Sequence, residues 1–270
     1  LQFQTKLEGQ DLQLLKKGTS DAEKVTVSFY VKGNASATYT CELHDRDNTR
    51  YNGQEFSVTT SWTRVILTFA GDTTGALDND NAVSMSLNFN LHGGDTYTGG
   101  TFSSNTWHTT ANQRFGDNQT SFFDSTDRTF FITGIQMEVG SVATPFEHRS
   151  FGEERQLCYR YYYQMQAATA FMKIGHGRAY NTSNTTATYP VPVPMRANPT
   201  GSVSAASDVG VAGLSSGGTT STNAASETFD DFSRFAINVT RSGADLTSGN
   251  IFQVEADNTT DMTIKLDAEL

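Results

Sequence analysis

The sequence predicts an all-β protein built from a jelly-roll β-sandwich, a short linker helix and a second, smaller β-sandwich. Three observations predict this class. Charged residues make up only 18% of the 270 residues, and Thr, Ser, Asn and Gly fill the remainder, a balance that favours strands and turns over long helices. Aromatic residues reach 11%, which excludes wholesale disorder because a chain of this size can bury a large core. Apolar residues also recur at every second position, as in half-buried strands.

Residues 1–147 are predicted to form the jelly-roll domain. The clearest strand, 83–91, is apolar at every odd position and polar at every even one, and 25–31 alternates in the same way. One face of such a strand meets a core and the other meets water or a partner, which is typical of antiparallel sheets. Further strands are predicted at 39–43, 56–58, 65–69 and 130–139. The turn clusters between strands are 32–34, 45–53, 71–81 and 93–100.

Residues 148–163 are predicted to form the linker helix. Ser150 can act as the N-cap with Glu153 three residues later, the pattern of a capping box. The residues that then fall on one helical stripe are Leu157, Cys158, Tyr161 and Tyr162. The tyrosine run 161–163 is expected to begin a new strand, because clustered aromatic residues favour sheet over helix.

Residues 164–270 are predicted to form the smaller β domain. Prolines alternate with other residues over 189–194, which indicates an edge or extended segment because proline has no N–H to donate. The stretch 200–226 has no aromatic residue, no Lys and no Arg, and is either a flexible loop or a set of short strands. Apolar alternation returns over 229–239 and 251–266.

The charge of the chain argues against several classes of partner. The net charge is −10 and the pI is near 4.9, the opposite of the basic footprint that neutralises nucleic-acid phosphates. No basic amphipathic segment suits an anionic membrane, and no run of about 18 apolar residues predicts a transmembrane helix. We therefore expect neither nucleic-acid binding nor membrane insertion.

The cysteines and the chain ends carry weaker information. Cys41 lies in Tyr39–Leu43 and Cys158 in Leu157–Tyr159, stretches that are typical of buried positions, so both are expected to be free, buried thiols. Leu1 follows no initiator Met and no signal-peptide pattern, so we expect the sequence to be a piece of a longer chain, with any missing partner upstream.

Several segments together resemble phage virion fibre proteins. The most specific match is the junction Gly134-Ile-Gln-Met-Glu-Val-Gly140, then Ala143-Thr-Pro-Phe-Glu-His-Arg-Ser-Phe-Gly-Glu-Glu154, then Cys158-Tyr-Arg-Tyr-Tyr162. Upstream, Ser61-Trp-Thr-Arg64, Ala70-Gly-Asp-Thr-Thr74 and Tyr97-Thr-Gly-Gly-Thr101 are also similar to that family, as is the terminal Asp267-Ala-Glu-Leu270. The resemblance covers nearly the whole chain but is loose across residues 170–262.

The resemblance implies a fold and a role. In these proteins a jelly roll similar to a carbohydrate-binding module is followed by a short helix and a small β tip, and the assembly is usually a homotrimer. It implies a structural or receptor-binding part at the surface of the virion, attached to other virion proteins upstream of residue 1. It identifies no sugar.

Polar loops of the first domain offer candidate glycan-binding residues. Sugar recognition by a β-sandwich uses flat aromatic faces against the pyranose, with polar side chains bonding the hydroxyl groups. The candidates are Trp107, Tyr97, Tyr51, His108 and Arg114. Trp107 is the first choice because its neighbours are Ser, Asn and Thr. For a single tryptophan, however, covering the end of its own core is the commoner role.

The loop 71–81 is the candidate metal site. Its carboxylates are the hard oxygen ligands that suit calcium, and we assign Asp72, Asp78 and Asp80 to a structural Ca²⁺. A solvated acidic turn is the commoner explanation of such a loop. No other cofactor is expected.

No motif points to an enzyme. The sequence has no nucleophile elbow and no phosphate loop, and its paired carboxylates do not suggest an acid/base couple. We therefore expect a non-enzymatic homotrimeric fibre or spike protein that attaches to host cell-surface polysaccharide. The alternatives are a purely structural virion adaptor or capsid decoration protein, and a carbohydrate-binding module of a polysaccharide-degrading enzyme.

Overall fold

The computed structural model describes residues 1–212, 222–225, 234–240 and 246–270, and it divides into two compact units. The first unit comprises Leu1–His148 together with Leu270, and the second comprises Arg149–Glu269. Both units are built around antiparallel sheets, so the predicted all-β sandwich class is confirmed.

The first unit is a sandwich of two antiparallel sheets. Its strands are β1 (Gln2–Glu8), β2 (Val25–Gly33), β3 (Ala37–Asp45), β4 (Arg50–Val58), β5 (Thr63–Phe69), β6 (Val83–Asn90) and β7 (Phe130–Val139). The four-stranded sheet has the order β1-β6-β3-β4 and the three-stranded sheet has the order β5-β2-β7. A helical turn, α1 (Asp95–Thr98), and 3-10 turns at Gly9–Leu15, Ala111–Gln113 and Phe122–Asp124 lie in the connections.

The core of the first unit lies between these sheets. Alternate residues of β2 and β3 point inward, so Val27, Phe29 and Cys41 are fully buried. The ring of Phe29 meets Phe56 and Phe89 edge to face, at centroid distances of 5.1 and 5.0 Å. Burial of each such side chain contributes about 1.5–3 kcal/mol relative to exposure.

Three local expectations for the first unit need correction. The strand β1 was not predicted, although it pairs along its whole length with β6. The strand β4 begins at Arg50, inside the predicted turn 45–53, because its first residues pair with the end of β3. The turn 93–100 contains the helical turn α1.

The second unit begins with α2 (Phe151–Tyr159) and continues with strands. They are β8 (Tyr162–Gln166), β9 (Lys173–Ala179), β10 (Asn184–Pro190), β11 (Thr200–Val203), β12 (Val209–Val211), β13 (Thr222–Ala225), β14 (Arg234–Thr240), β15 (Ile251–Ala256) and β16 (Thr263–Asp267), with a 3-10 turn at Ala206–Asp208. One sheet has the order β12-β15-β9-β10-β14-β13 and the other β11-β16-β8. Inward residues such as Ile237, Val254 and Ile264 build a second core.

The sequence expectations for the second unit hold in part. The stretch 200–226 contains short strands where it is described, and 229–239 contains β14, with 229–233 outside the described residues. The first two residues of the segment predicted at 189–194 to be edge or extended are extended: Tyr189 and Pro190 end β10, where they pair with β14 but have no partner in β9. Proline is tolerated there because one side of the strand is unpaired at that position.

The helix α2 forms as predicted. The Oγ atom of Ser150 accepts the Glu153 N–H at 3.2 Å, and the Glu153 carboxylate accepts the Ser150 N–H at 2.8 Å, which completes the capping box. The helix ends at Tyr159 and the tyrosine run leads into β8, as expected. Both cysteines are free, but Cys158 is exposed, which corrects the expectation of burial; no residue of α2 is buried.

Candidate functional site

One face of the four-stranded sheet of the first unit is polar. Side chains alternate along β3 and β6, so the residues that do not face the core share the opposite face. The register pairs them directly: Thr40 with Asn90, Glu42 with Asn88, and His44 with Ser86. We call these six residues the polar face. All except the partly exposed His44 are buried, so other parts of the unit must cover them.

Residues 93–119, here called the covering segment, lie over the polar face. His108 and Tyr51 exchange two backbone hydrogen bonds of 2.8 and 3.0 Å. The Gly116 N–H donates to Thr40 Oγ1 at 3.1 Å, and the Gln119 amide donates to the Asn90 carbonyl at 2.9 Å. The segment is thereby fixed to the sheet in its middle and at its C-terminal end.

A buried ion pair joins the covering segment to the polar face. Glu42 is 0% exposed, and its two oxygens accept Nε and Nη2 of Arg114, each at 2.7 Å. The Asn88 amide donates to the same carboxylate at 2.8 Å. Such bidentate, charge-assisted bonds fix the plane of a guanidinium. Glu42 therefore positions Arg114, and its oxygens are occupied by these contacts.

Aromatic rings surround this guanidinium. Its central carbon lies 4.3 Å from the ring centroid of Tyr51 and 5.2 Å from that of Tyr97. Tyr51 is buried, whereas Tyr97 is 38% exposed on α1 and is backed by Phe115 at 5.3 Å. The result is a rigid stack, Tyr51–Arg114–Tyr97, with one aromatic ring open to solvent.

Two histidines flank the stack in the neutral form. Burial, with the Arg114 and Arg46 charges nearby, lowers the pKa of His44 from 6.5 to about 3. Burial also lowers the pKa of His108, and the Glu42 charge opposes this only in part. His44 packs on Tyr51 with ring centroids 4.6 Å apart. Both imidazoles therefore act here as neutral hydrogen-bonding groups.

The polar face and its cover contain hydrogen-bonding atoms that have no protein partner. Among the described residues, these buried atoms are His44 Nδ1, Asn88 Oδ1, both amide atoms of Asn90, and His108 Nε2. A buried polar atom without a partner costs about 1–3 kcal/mol. These atoms therefore have the capacity to bond buried water molecules.

The structure brings four of the five predicted glycan residues together. Tyr51, Tyr97 and Arg114 form the stack, and His108 lies beside it, with its ring centroid 5.9 Å from that of Tyr51. Arg114 is the residue that joins the others, since it contacts both tyrosine rings.

Trp107 lies elsewhere, which corrects its assignment as first choice. Its Nε1 donates to the Ala70 carbonyl at 2.7 Å, and the Lys17 ammonium lies 5.3 Å from its ring centroid. The ring packs against the hydrophobic core. It therefore has the covering role that the sequence analysis set against glycan binding.

The predicted calcium ligands do not form a site, and no described group of three acidic, His or Cys side chains could hold a metal ion. Asp72 is buried and bonded to cations: Arg50 donates to it at 2.6 and 3.0 Å, and Lys17 lies at 3.1 Å. Burial alone would raise the pKa of Asp72, but the Arg50 and Lys17 bonds outweigh burial and lower it. Asp78 and Asp80 remain exposed.

Sequence reasoning did not identify any of the six polar-face residues as a site residue. For Ser86, Asn88 and Asn90 the signal is present in the polar even positions of 83–91, for which a partner was expected without being identified. This signal can be interpreted only once β3 is known to pair with β6. The ion-pair partner of Glu42, Arg114, lies 72 positions away in the sequence, so no local pattern shows it.

The chain was compared with family models and with curated proteins. No family model matches the chain, and no curated protein matches it. Within the described ranges, no helix has the length and apolar character needed to cross a membrane.

Proposed function

We propose that this chain is a non-enzymatic virion fibre or spike protein whose first unit binds a host cell-surface glycan and which works as a homotrimer. The observation that carries the glycan proposal is the Tyr51–Arg114–Tyr97 stack beside the polar face. The junction residues that resemble phage fibre proteins support its place on the virion surface.

The stack suits a sugar ring for a physical reason. The exposed part of the Tyr97 ring offers an apolar surface for the C–H side of a pyranose, and polar atoms near it can bond the sugar's hydroxyl groups. Glu42 holds Arg114 in place, so little side-chain freedom remains to be lost on binding. Both oxygens of Glu42 are bonded to Arg114, which supports a role for Glu42 in positioning Arg114 for binding over a role as a catalytic acid or base.

Self-association is supported by α2 and β8. Phe151 is 80% exposed and Leu157 is more than half exposed, and no residue of the helix is buried. A nine-residue helix is marginal without tertiary packing, so a second copy of the chain is the natural cover. The strand β8 ends its sheet as an edge that another copy can protect.

The glycan proposal is tested with an array of bacterial cell-surface polysaccharides. We expect wild type to bind, and Tyr97→Ala to weaken that binding at least about tenfold, or ~1.4 kcal/mol, through loss of the aromatic face. Phe123→Ala is the matched control, because it removes an exposed ring of the same unit that lies outside the stack. Equal binding by Tyr97→Ala and wild type, or no binding by wild type, contradicts the proposal.

A structural adaptor is the second candidate, and the outer face of the three-stranded sheet favours it. Trp62 and Phe131 are both about half exposed there, and the Lys32 ammonium lies 5.3 Å from each ring centroid. An aromatic row with a central cation suits an acidic protein surface. If the chain is a structural adaptor, neither wild type nor any variant should bind a glycan on the polysaccharide array.

A further inference from the structure

A cavity in the second unit is independent of the polar face. It opens beside the turn between β9 and β10, has a volume of about 420 Å³, and is lined by Tyr180, Asn181, Asn184, Thr185, Asn238 and Val239. The register brings these residues together, since Thr185 pairs with Val239 and Asn184 pairs with Thr240. A cavity of this size is within the range of small-ligand sites.

The asparagines of this cavity are oriented by the protein. The Asn181 side-chain oxygen accepts the N–H groups of Ser183 and Asn184, both at 2.8 Å. The Asn238 side-chain oxygen accepts the Thr186 hydroxyl. With both oxygens used, the NH₂ groups of Asn181 and Asn238 remain as donors, and neither has a partner among the described residues.

Asn184 supports this arrangement from the base of the turn. Its side-chain oxygen accepts the Thr240 hydroxyl at 2.8 Å, and its NH₂ donates to Asn181 at 3.3 Å. The amides are therefore linked, and the donors that face the cavity are held in place rather than free to rotate.

An aromatic ring completes the cavity. The Tyr180 side chain is 60% exposed, so part of its ring is open to a ligand. Thr185 and Val239 also line the cavity, but their side chains are buried and alternate with those of Asn184 and Asn238, so they point toward the core. The groups that a ligand can reach are therefore the Tyr180 ring and the asparagine amides.

The chemistry of the lining identifies the ligand class. All six lining residues are uncharged, so nothing in the lining selects an ionic ligand. Amide donors and an open aromatic ring match a ring-shaped molecule with many oxygen acceptors. We propose that this cavity is a second carbohydrate site, specific for a neutral saccharide unit, and that it works without the Tyr97 site.

The test uses the full chain with maltotriose, cellotriose, mannotriose and chitotriose as probes. Binding is measured by saturation-transfer NMR and calorimetry in a Tyr97→Ala background, which removes the first site. We expect one of these trisaccharides to bind this background, and the added Tyr180→Ala change to weaken binding at least about tenfold. Tyr180→Phe keeps the ring, so its affinity should stay within about threefold.

Two controls keep this result separate from the first proposal. Phe151→Ala, in the same Tyr97→Ala background, removes an exposed ring of the same unit that does not line the cavity, and should leave binding unchanged. The Tyr180→Ala single variant reports on the Tyr97 site alone. If none of the trisaccharides binds the Tyr97→Ala background, or if adding Tyr180→Ala changes nothing, the second site is overturned whatever the single variant shows.

Discussion

At the scale of single residues, the polar face depends on charges buried in pairs. Glu42 and Arg114 neutralise each other between the sheet and the covering segment. The cations Lys17 and Arg50 and the carboxylates Asp45 and Asp72 do so at another place in the same unit. Removing one member of such a pair lowers the free energy of unfolding by more than the intact pair adds to it, because the other charge is left buried without a partner.

The first residue-scale prediction concerns Glu42→Gln. The substitution keeps the side-chain shape but leaves the Arg114 charge uncompensated, so the free energy of unfolding of the first unit should fall by about 3 kcal/mol. Urea denaturation measures this. Glu154→Gln is the control. The ion pair between Glu154 and Arg149 is exposed, so this variant's free energy of unfolding should stay within about 0.5 kcal/mol of the wild-type value. Equal losses in the two variants would contradict a neutralising role for Glu42.

The second residue-scale prediction concerns pH. The pKa of His44 is about 3 in the folded state and about 6.5 when unfolded, so the unfolded state binds the extra proton at intermediate pH. Stability should therefore fall as the pH drops below about 6.5, by less than about 1 kcal/mol per pH unit for this partly exposed ring. The lowered pKa of His108 acts in the same direction.

Thermal melts between pH 7 and pH 5 check this, in a window above the usual carboxylate range. His44→Gln cannot take up the proton, so its melting temperature should depend less on pH than that of wild type. A wild-type slope that His44→Gln leaves unchanged would place the acid sensitivity in other groups.

At the scale of elements, local sequence patterns predicted where strands lie better than which strands pair with each other. The alternation over 25–31 and 83–91 identified β2 and β6, and the capping box identified α2. Pairing order is non-local, so nothing within 83–91 shows that its neighbours are β1 and β3. For the same reason the tyrosines and Arg114 could be nominated from polar loops, whereas Glu42 and Asn88 could not.

The element-scale prediction concerns α2. Phe151 and Leu157 are its exposed apolar residues, so the double change Phe151→Asp with Leu157→Glu should prevent self-association. Sedimentation should give about three times 29.4 kDa for wild type and 29.4 kDa for this variant. Gln156→Glu adds charge to the same helix and should leave the trimer intact. A monomeric wild type at micromolar concentration would contradict the trimer.

At the scale of the whole molecule, several weak binding sites acting together give a higher apparent affinity than any one of them alone. A trimer with one Tyr97 site per chain, and a second cavity in each chain, presents several contacts to one polysaccharide surface. Once one contact forms, the others bind at high effective concentration, and avidity can exceed single-site affinity by about 10²–10⁴. The two carbohydrate proposals and the trimer therefore make one joint prediction.

That prediction compares a soluble glycan with the same glycan on a surface. For a saccharide that wild type binds, the Phe151→Asp, Leu157→Glu double variant should keep its affinity in solution within about twofold, because neither residue touches a proposed site. On a dense surface its apparent affinity should fall about a hundredfold, since each chain now binds alone. Calorimetry measures the first quantity and surface plasmon resonance the second. If both affinities fall together, α2 supports the sites themselves; if neither falls, attachment does not use more than one chain at a time.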